Sequence, residues 1–207
     1  MNRRPPGFLA AITVAAVVAH AGVLRGVGGT IAGSVKITGI PSAADAVVYI
    51  EHADGTFPTD IPATLNQRSQ EFMPRVLPIV EGTTVKFLNN DPIAHNVFSP
   101  DYEKYDLGTW QQGDTKEYRF PPCAKPPCAY TQLCKIHAQM EASIVVLQNP
   151  FFAVTDRTGH FEIDSVPPGS YMVATWYARR GRPYPAQRKA VTVDADGTVS
   201  VDFVISR

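Results

Sequence analysis

From about residue 30 to the C-terminus, the chain breaks into short runs of β-branched and aromatic residues, each stopped by a cluster of glycine, proline or asparagine. Helical periodicity is nearly absent over this stretch, and many short strands divided by turn signals predict an all-β chain built as sandwiches. Candidate strands cover 30–37, 46–51, 76–80, 83–88, 96–99, 115–120, 130–134 and 143–147. A second series follows at 151–155, 160–163, 169–177, 189–193 and 199–205. Composition shifts at 57–69, which is polar and proline-bearing, and again at 148–150, where a strand runs into a turn; these are the expected boundaries.

With 207 residues, 44% of them apolar, the chain can bury either one large core or two small ones. Lysine plus arginine equals aspartate plus glutamate, 19 against 19, so the overall charge directs it neither to nucleic acid nor to an acidic membrane surface. Recognition of any partner must rest on a local patch. The first residues form a separate object: Arg3 and Arg4 precede an apolar run over 8–19, and Ala19, His20 and Ala21 make a small-x-small cleavage pattern. Residues 1–21 are therefore expected to be a signal peptide, with the mature chain in the periplasm or outside the cell and no stable membrane insertion after cleavage. The run is short for a membrane span. An uncleaved anchor is the alternative, and a twin-arginine route stays open despite Pro5, Pro6 and Gly7.

Three cysteines then sit in an oxidising compartment, Cys123, Cys128 and Cys134, and an odd count needs an explanation. A disulfide between Cys123 and Cys128 would close the proline-stiffened AKPP loop and leave Cys134 unpaired. Three reduced cysteines, exchange involving Cys134, or a labile Cu(I) ion on the first two are the alternatives.

The unpaired thiol is the most informative. In LCKIHAQM, Cys134, His137 and Met140 are spaced three residues apart on a tight loop after a strand candidate, YTQLC, and such a loop can turn all three groups to one point. The missing partner should be a second imidazole from another strand, and FLNNDPIAHNVFS supplies His95 after a turn-rich NNDP. Two imidazoles, a thiolate and a weak axial thioether make the trigonal set of electron-transfer copper; zinc fits less well because structural zinc sites seldom use methionine. The metal ligands expected are thus His95, Cys134, His137 and Met140, holding one type 1 copper ion. His52 and His160 are expected at the surface or at strand ends, and Tyr102, Tyr105 and Trp110 to seal one end of a sandwich.

At these residues the chain resembles the cupredoxins of the plastocyanin and amicyanin kind. EGTTVKFLNNDPIAHNVFSPD is similar to the strand and loop carrying their first histidine, YTQLCKIHAQM to their ligand loop, and the short CxxHxxM spacing to the amicyanin-like members. The resemblance implies a Greek-key β-sandwich over about 69–148, the same four copper ligands, and Asn96 as the residue tying the two ligand loops near the thiolate. It also implies electron exchange through His137, with apolar contacts around Ala94, Ile136 and Ala138. The chain departs from the family where PPCAKPPCAY replaces a shorter turn and brings two further cysteines.

The C-terminal stretch AVTDRTGHFEIDSVPPGSYMVATWY resembles a carboxypeptidase regulatory-like, or transthyretin-like, β-sandwich. The opening of such a sandwich, GSVKITGIPSAADAVVYIEH, stands far upstream. The expected order is therefore the first strands of this small sandwich at 30–57, an inserted cupredoxin at 69–148, and the remainder at 151–207. One enlarged cupredoxin is the rival arrangement.

The expected function is one-electron transfer by an exported blue copper protein with transient redox protein partners. Alternatives are a copper carrier without redox turnover, or a cell-surface adhesion or glycan-binding module. Catalysis is not expected: no paired HxH motif offers the further copper centres of a multicopper oxidase, and no phosphate-binding loop, metalloprotease helix or basic nucleic-acid stripe is present in the sequence.

Overall fold

The computed structural model describes residues 28–207, so the expected signal peptide at 1–21 lies outside the described residues. These residues form strands and no helix, and hence none long and apolar enough to cross a membrane. The chain opens with β1 (Gly29–Ile37) and β2 (Val47–Ile50). Next come β3 (Ala63–Arg68), β4 (Glu71–Met73), β5 (Val76–Val80), β6 (Thr84–Asn89), β7 (His95–Ser99), β8 (Tyr105–Trp110), β9 (Thr115–Arg119), β10 (Cys128–Leu133) and β11 (Glu141–Leu147). It finishes with β12 (Phe152–Val154), β13 (His160–Val166), β14 (Gly169–Trp176), β15 (Ala178–Arg179), β16 (Arg182–Pro183), β17 (Arg188–Val193), β18 (Thr198–Ser200) and β19 (Phe203–Ile205).

The early strands β1 and β2 pair only with late ones. One sheet has the order β13-β1-β18 with β19 also on β1, and a second has the order β12-β2-β14-β17. Between them lies a core that includes Ile31, Val35, Val48, Ile50, Phe161 and Phe203. Strand β1 lies close to the segment after β18, since a Cβ on Gly33 would stand 1.9 Å from the carbonyl oxygen of Val201; only glycine fits there. The intervening strands make two further sheets, β4-β3-β6-β9 and β5-β11-β10-β7-β8, around a separate core of Leu65, Phe87, Val97, Phe120, Ile144 and their neighbours. The chain leaves and re-enters the outer sandwich at adjacent points: Ile50 N–H donates to Phe151 O at 3.0 Å, and Gln148 bonds both backbone groups of Ala53.

The two sandwiches share a seam. Along β2, Val48 and Ile50 face the outer core while Val47 and Tyr49 face the seam; along β11, Ile144 and Val146 face the inner core while Val145 and Leu147 face the seam. That is why VVYI and SIVVL read as continuous apolar runs rather than alternating ones, each strand being covered on both faces. At about 1.5–3 kcal/mol per fully buried aliphatic side chain, the seam contributes several kcal/mol to holding the layers together.

Five strands stand where the sequence indicated none: β3, β4, β8 and the short pair β15 and β16. The stretch 57–69, read as a boundary, contains β3, which pairs in parallel with β6, so the inner sandwich begins by Ala63 rather than at 69. Its polar composition hides it: only Leu65 and Gln67 point fully inward, and the buried Gln67 amide donates to Leu88 O. Strand β4 follows across a tight turn. Strand β8 replaces the expected loop around Tyr105 and Trp110; it is an edge strand on β7, broken in register near Phe98 and interrupted by Gly108. Tyr105 stacks on Tyr118 with ring centres 4.0 Å apart, and Trp110 is buried, so both pack as expected.

Candidate metal centre

His95 is the first residue of β7, and Cys134 directly follows the last residue of β10. Those strands run antiparallel side by side, with Leu133 opposite Phe98, so the pairing brings imidazole and thiol together across 39 residues of sequence. His137 and Met140 lie in the loop between β10 and β11, where the Met140 N–H donates to His137 O at 3.0 Å and closes a tight turn.

Of the four residues expected as ligands, the structure gathers three: one donor atom each from His95, Cys134 and His137 all lie within 4.8 Å of one another. The two Nδ1 atoms are 3.0 Å apart, and the Cys134 sulfur is 3.9 Å from Nδ1 of His137. Met140 is buried in the same apolar cluster as Cys134. His95 and Cys134 are likewise buried, while His137 is half-exposed and forms the outer edge. With metal-to-nitrogen bonds of about 2 Å, two nitrogens at this separation can share one ion, and the thiol completes a mixed N and S set. Zinc and copper both accept such donors; a methionine at the fourth place is a copper trait. Cys134 is the free thiol of the chain, because Cys123 and Cys128 form a disulfide. His52 is exposed beside Asp54, and His160 is exposed at the start of β13.

Two further residues organise the centre. Asn96 donates its backbone N–H to the Cys134 sulfur at 3.5 Å and accepts from Lys135 N–H through its side-chain oxygen at 3.3 Å. Its amide nitrogen donates to Asp106 and to Gly108 O, so one buried side chain joins the β7 edge, the ligand loop and β8. Asp106 is paired with the Lys135 ammonium. That contact, helped by the Gly108 N–H and the Asn96 amide, holds its carboxyl at about 2.

The other residue is Asp91, which in the sequence is one polar residue of the turn-rich NNDP. Its carboxylate lies 2.7 Å from Nε2 of His95 and receives the backbone N–H groups of Ser69 and Gln70. Both turn residues have positive φ, 56° each, in the tight connection between β3 and β4. Burial pushes the carboxyl up, but the Gln70 and Ser69 donors and the His95 ring outweigh it and leave it below the usual carboxylate range. An ionised carboxylate can only accept, so Nε2 of His95 donates to it and Nδ1 is the ring atom turned toward the centre. An acidic residue four positions before a candidate ligand histidine was the available signal.

No family model matches the chain, and no curated protein matches it. Among solved structures, it is similar to a copper-containing nitrite reductase from Thermus scotoductus, 27% identical over 45% of this chain, with a TM-score of 0.38. The chain spans only 24% of that reductase. It is also similar to a purple cupredoxin from Nitrosopumilus maritimus, 23% identical over 41% of this chain and 98% of the other, TM-score 0.36. A reduced Cu(I) amicyanin mutant aligns at 16% identity over 48% of this chain and 97% of its own length, TM-score 0.38. At such scores, the assignment of the centre rests on its own geometry.

Proposed function

We propose that the chain is an exported type 1 copper protein that carries single electrons between protein partners, and is not itself an enzyme. His95, Cys134 and His137 are its principal ligands and Met140 its axial donor. The observation that supports this above all is the convergence of two imidazole Nδ1 atoms on a buried thiol that also accepts an N–H from Asn96. The mixed donor set suits both oxidation states of copper, which would supply reversible one-electron chemistry there.

The chain contributes the rest. Strands β7 and β10 fix His95 and Cys134 on paired backbone, Asp91 holds the His95 ring, and Asn96 ties the ligand loop to its neighbour, so the donors have little room to rearrange. The half-exposed edge of His137 is the exchange port. Ile136, half exposed at 50%, and Ile93, at 39%, lie on the two ligand-bearing segments and offer a small apolar contact for transient partners. The disulfide takes up Cys123 and Cys128, the two thiols that a second, labile Cu(I) ion would have needed. The apolar run at 8–19, followed by Ala19, His20 and Ala21, supports the export part of the proposal.

Absorption and paramagnetic-resonance spectra of the purified chain loaded with Cu(II) test the proposal. An intense visible thiolate-to-copper band, lost in Cys134→Ser, is expected; a copper-loaded chain whose spectrum is the same with and without the Cys134 sulfur would refute the site.

A further inference from the structure

The short hairpin β15–β16 reaches from the outer sandwich across the seam, and its composition is unusual for such a turn. Arg179 and Arg182 face each other as a directly opposed pair, and Arg180 occupies a left-handed position with φ of 52°, followed by Gly181 at 64°. Like charges directly opposite destabilise a ladder, and such turns favour asparagine, aspartate or glycine. The tip is pinned to the inner sandwich by the Gly181 N–H, which donates to Glu141 at 2.7 Å, one residue beyond Met140.

Around this hairpin the seam opens into a cleft of about 670 Å³ bordered by Arg75, Arg157, Arg179 and Arg180. A smaller hollow of about 280 Å³ joins Arg75 and Arg180, with Glu71 and Glu141, to Gln139 and Met140 of the ligand loop, and a third is bordered by Arg179, Arg180, Arg182 and Arg207. Among the described residues, no carboxylate side chain lies within 4.0 Å of Arg157, Arg179, Arg180, Arg182 or Arg207. Three carboxylates line the cleft as well: Glu141 accepts the Gly181 N–H, Asp156 accepts from Thr158 and His160, and Asp45 lies 4.0 Å from Arg75, so the cleft's four guanidinium groups outnumber its acids by one. The positive charge is concentrated at the hairpin, where Arg179, Arg180, Arg182 and Arg207 line a hollow that no acidic side chain among the described residues borders.

We infer that this arginine patch at the seam is the docking surface for an acidic protein, whose carboxylates it holds beside the ligand loop. The guanidinium groups are exposed and spread over three hollows instead of converging in one buried cage, which matches carboxylates distributed over a surface better than a single small anion. Planar guanidinium forks bind carboxylates with two parallel bonds. Complementary charge at the rim steers encounter and orients the pair, and the Gln139 and Met140 end of the patch would turn the partner toward the candidate metal centre. That the partner is a redox protein rests on the proposed function; its acidic character does not.

Binding of the metal-free full chain to poly-L-glutamate at low ionic strength is the test. Binding that weakens steadily with added salt is expected, and the combined Arg179→Gln, Arg180→Gly and Arg182→Gln variant should bind about tenfold more weakly. Arg180→Gly removes the side chain from the left-handed position, so the hairpin keeps its turn. Lys86→Gln with Lys116→Gln, on β6 and β9 and outside all three hollows, should bind as the unchanged protein does. Equal binding by the arginine variant, no binding by the unchanged chain, or binding of heparin without binding of poly-L-glutamate would each overturn the inference, the last in favour of an acidic glycan. Because no metal is present, none of these outcomes bears on copper, and a chain that fails to take up copper can still pass.

Discussion

Asp91 supports His95 from behind: its carboxylate lies 2.7 Å from Nε2, while Nδ1 of the same ring lies 3.0 Å from Nδ1 of His137. One side of the imidazole is thus fixed by protein and the other is free for a metal. The carboxylate is itself held by the Ser69 and Gln70 N–H groups, so a turn in the sheet opposite helps set the orientation of a ligand.

Removing that support should weaken the centre without deleting a ligand. Carboxylate partners of ligating histidines typically contribute 10–100-fold in metal affinity. Asp91→Ala is therefore expected to lower copper affinity by about that factor, measured by competition with a chelator. Unchanged affinity would show that the ring is positioned by packing alone.

Met140→Leu should keep copper bound and raise its reduction potential, because an axial thioether mainly tunes the cupric state. Voltammetry of the loaded variant measures the shift. Complete loss of metal would contradict a weak axial role.

Asn96 is buried and bonds the Lys135 N–H, Asp106 and Gly108 O through its side chain. The three partners are exposed, so water takes over part of what Asn96→Ala removes, and the cost is that of ordinary hydrogen bonds, about 0.5–1.5 kcal/mol each. Urea denaturation of the metal-free chain should register that loss, with metal binding weakened as the ligand loop loosens.

Tyr49 lies in the seam with a buried hydroxyl that has no hydrogen-bond partner, and burial, aided by the Glu51 carboxylate and opposed by Arg188, lifts its phenol from 10.0 to about 12. A phenol raised in the folded state is protonated there while the unfolded chain has already released its proton, so stability falls as pH climbs from 10 toward 12. Tyr49→Phe removes this loss and leaves no donor stranded. At pH 11 the variant should gain about 1.4 kcal/mol relative to its difference from the parent at pH 8. Denaturant melts at the two pH values measure it; an identical difference at both would rule the titration out.

Cys123 and Cys128 close a short loop against Phe120 and Tyr130, well along β10 from Cys134. Replacing both by serine should cost roughly 2 kcal/mol in denaturation experiments, the loop-closure contribution for a loop of this length. The copper band should persist. Its disappearance would mean that the disulfide shapes the ligand loop.

The all-β class was legible because turn residues and β-branched runs act locally, and His95, Cys134 and His137 were legible because their side-chain chemistry is rare and their spacing narrow. Strands β3 and β8 were not. ATLNQR and YDLGTW are mostly polar or glycine-interrupted, and become strands only by pairing with β6 and β7. Gln67 shows the difficulty: a polar residue is wholly buried because Leu88 O accepts its amide hydrogen.

What the amino-acid order determines by itself, then, is which segments extend, where they stop, and which donors the chain owns. The tertiary structure alone decided the register in which β2 meets β12 and β14, that Asp91 backs His95, and that three arginines of a two-strand hairpin stand next to the Met140 turn. Periodicity and turn chemistry are written in neighbouring residues. Pairing register and the approach of two sandwiches depend on matching surfaces distant in sequence, and no short window of residues contains both halves of such a match.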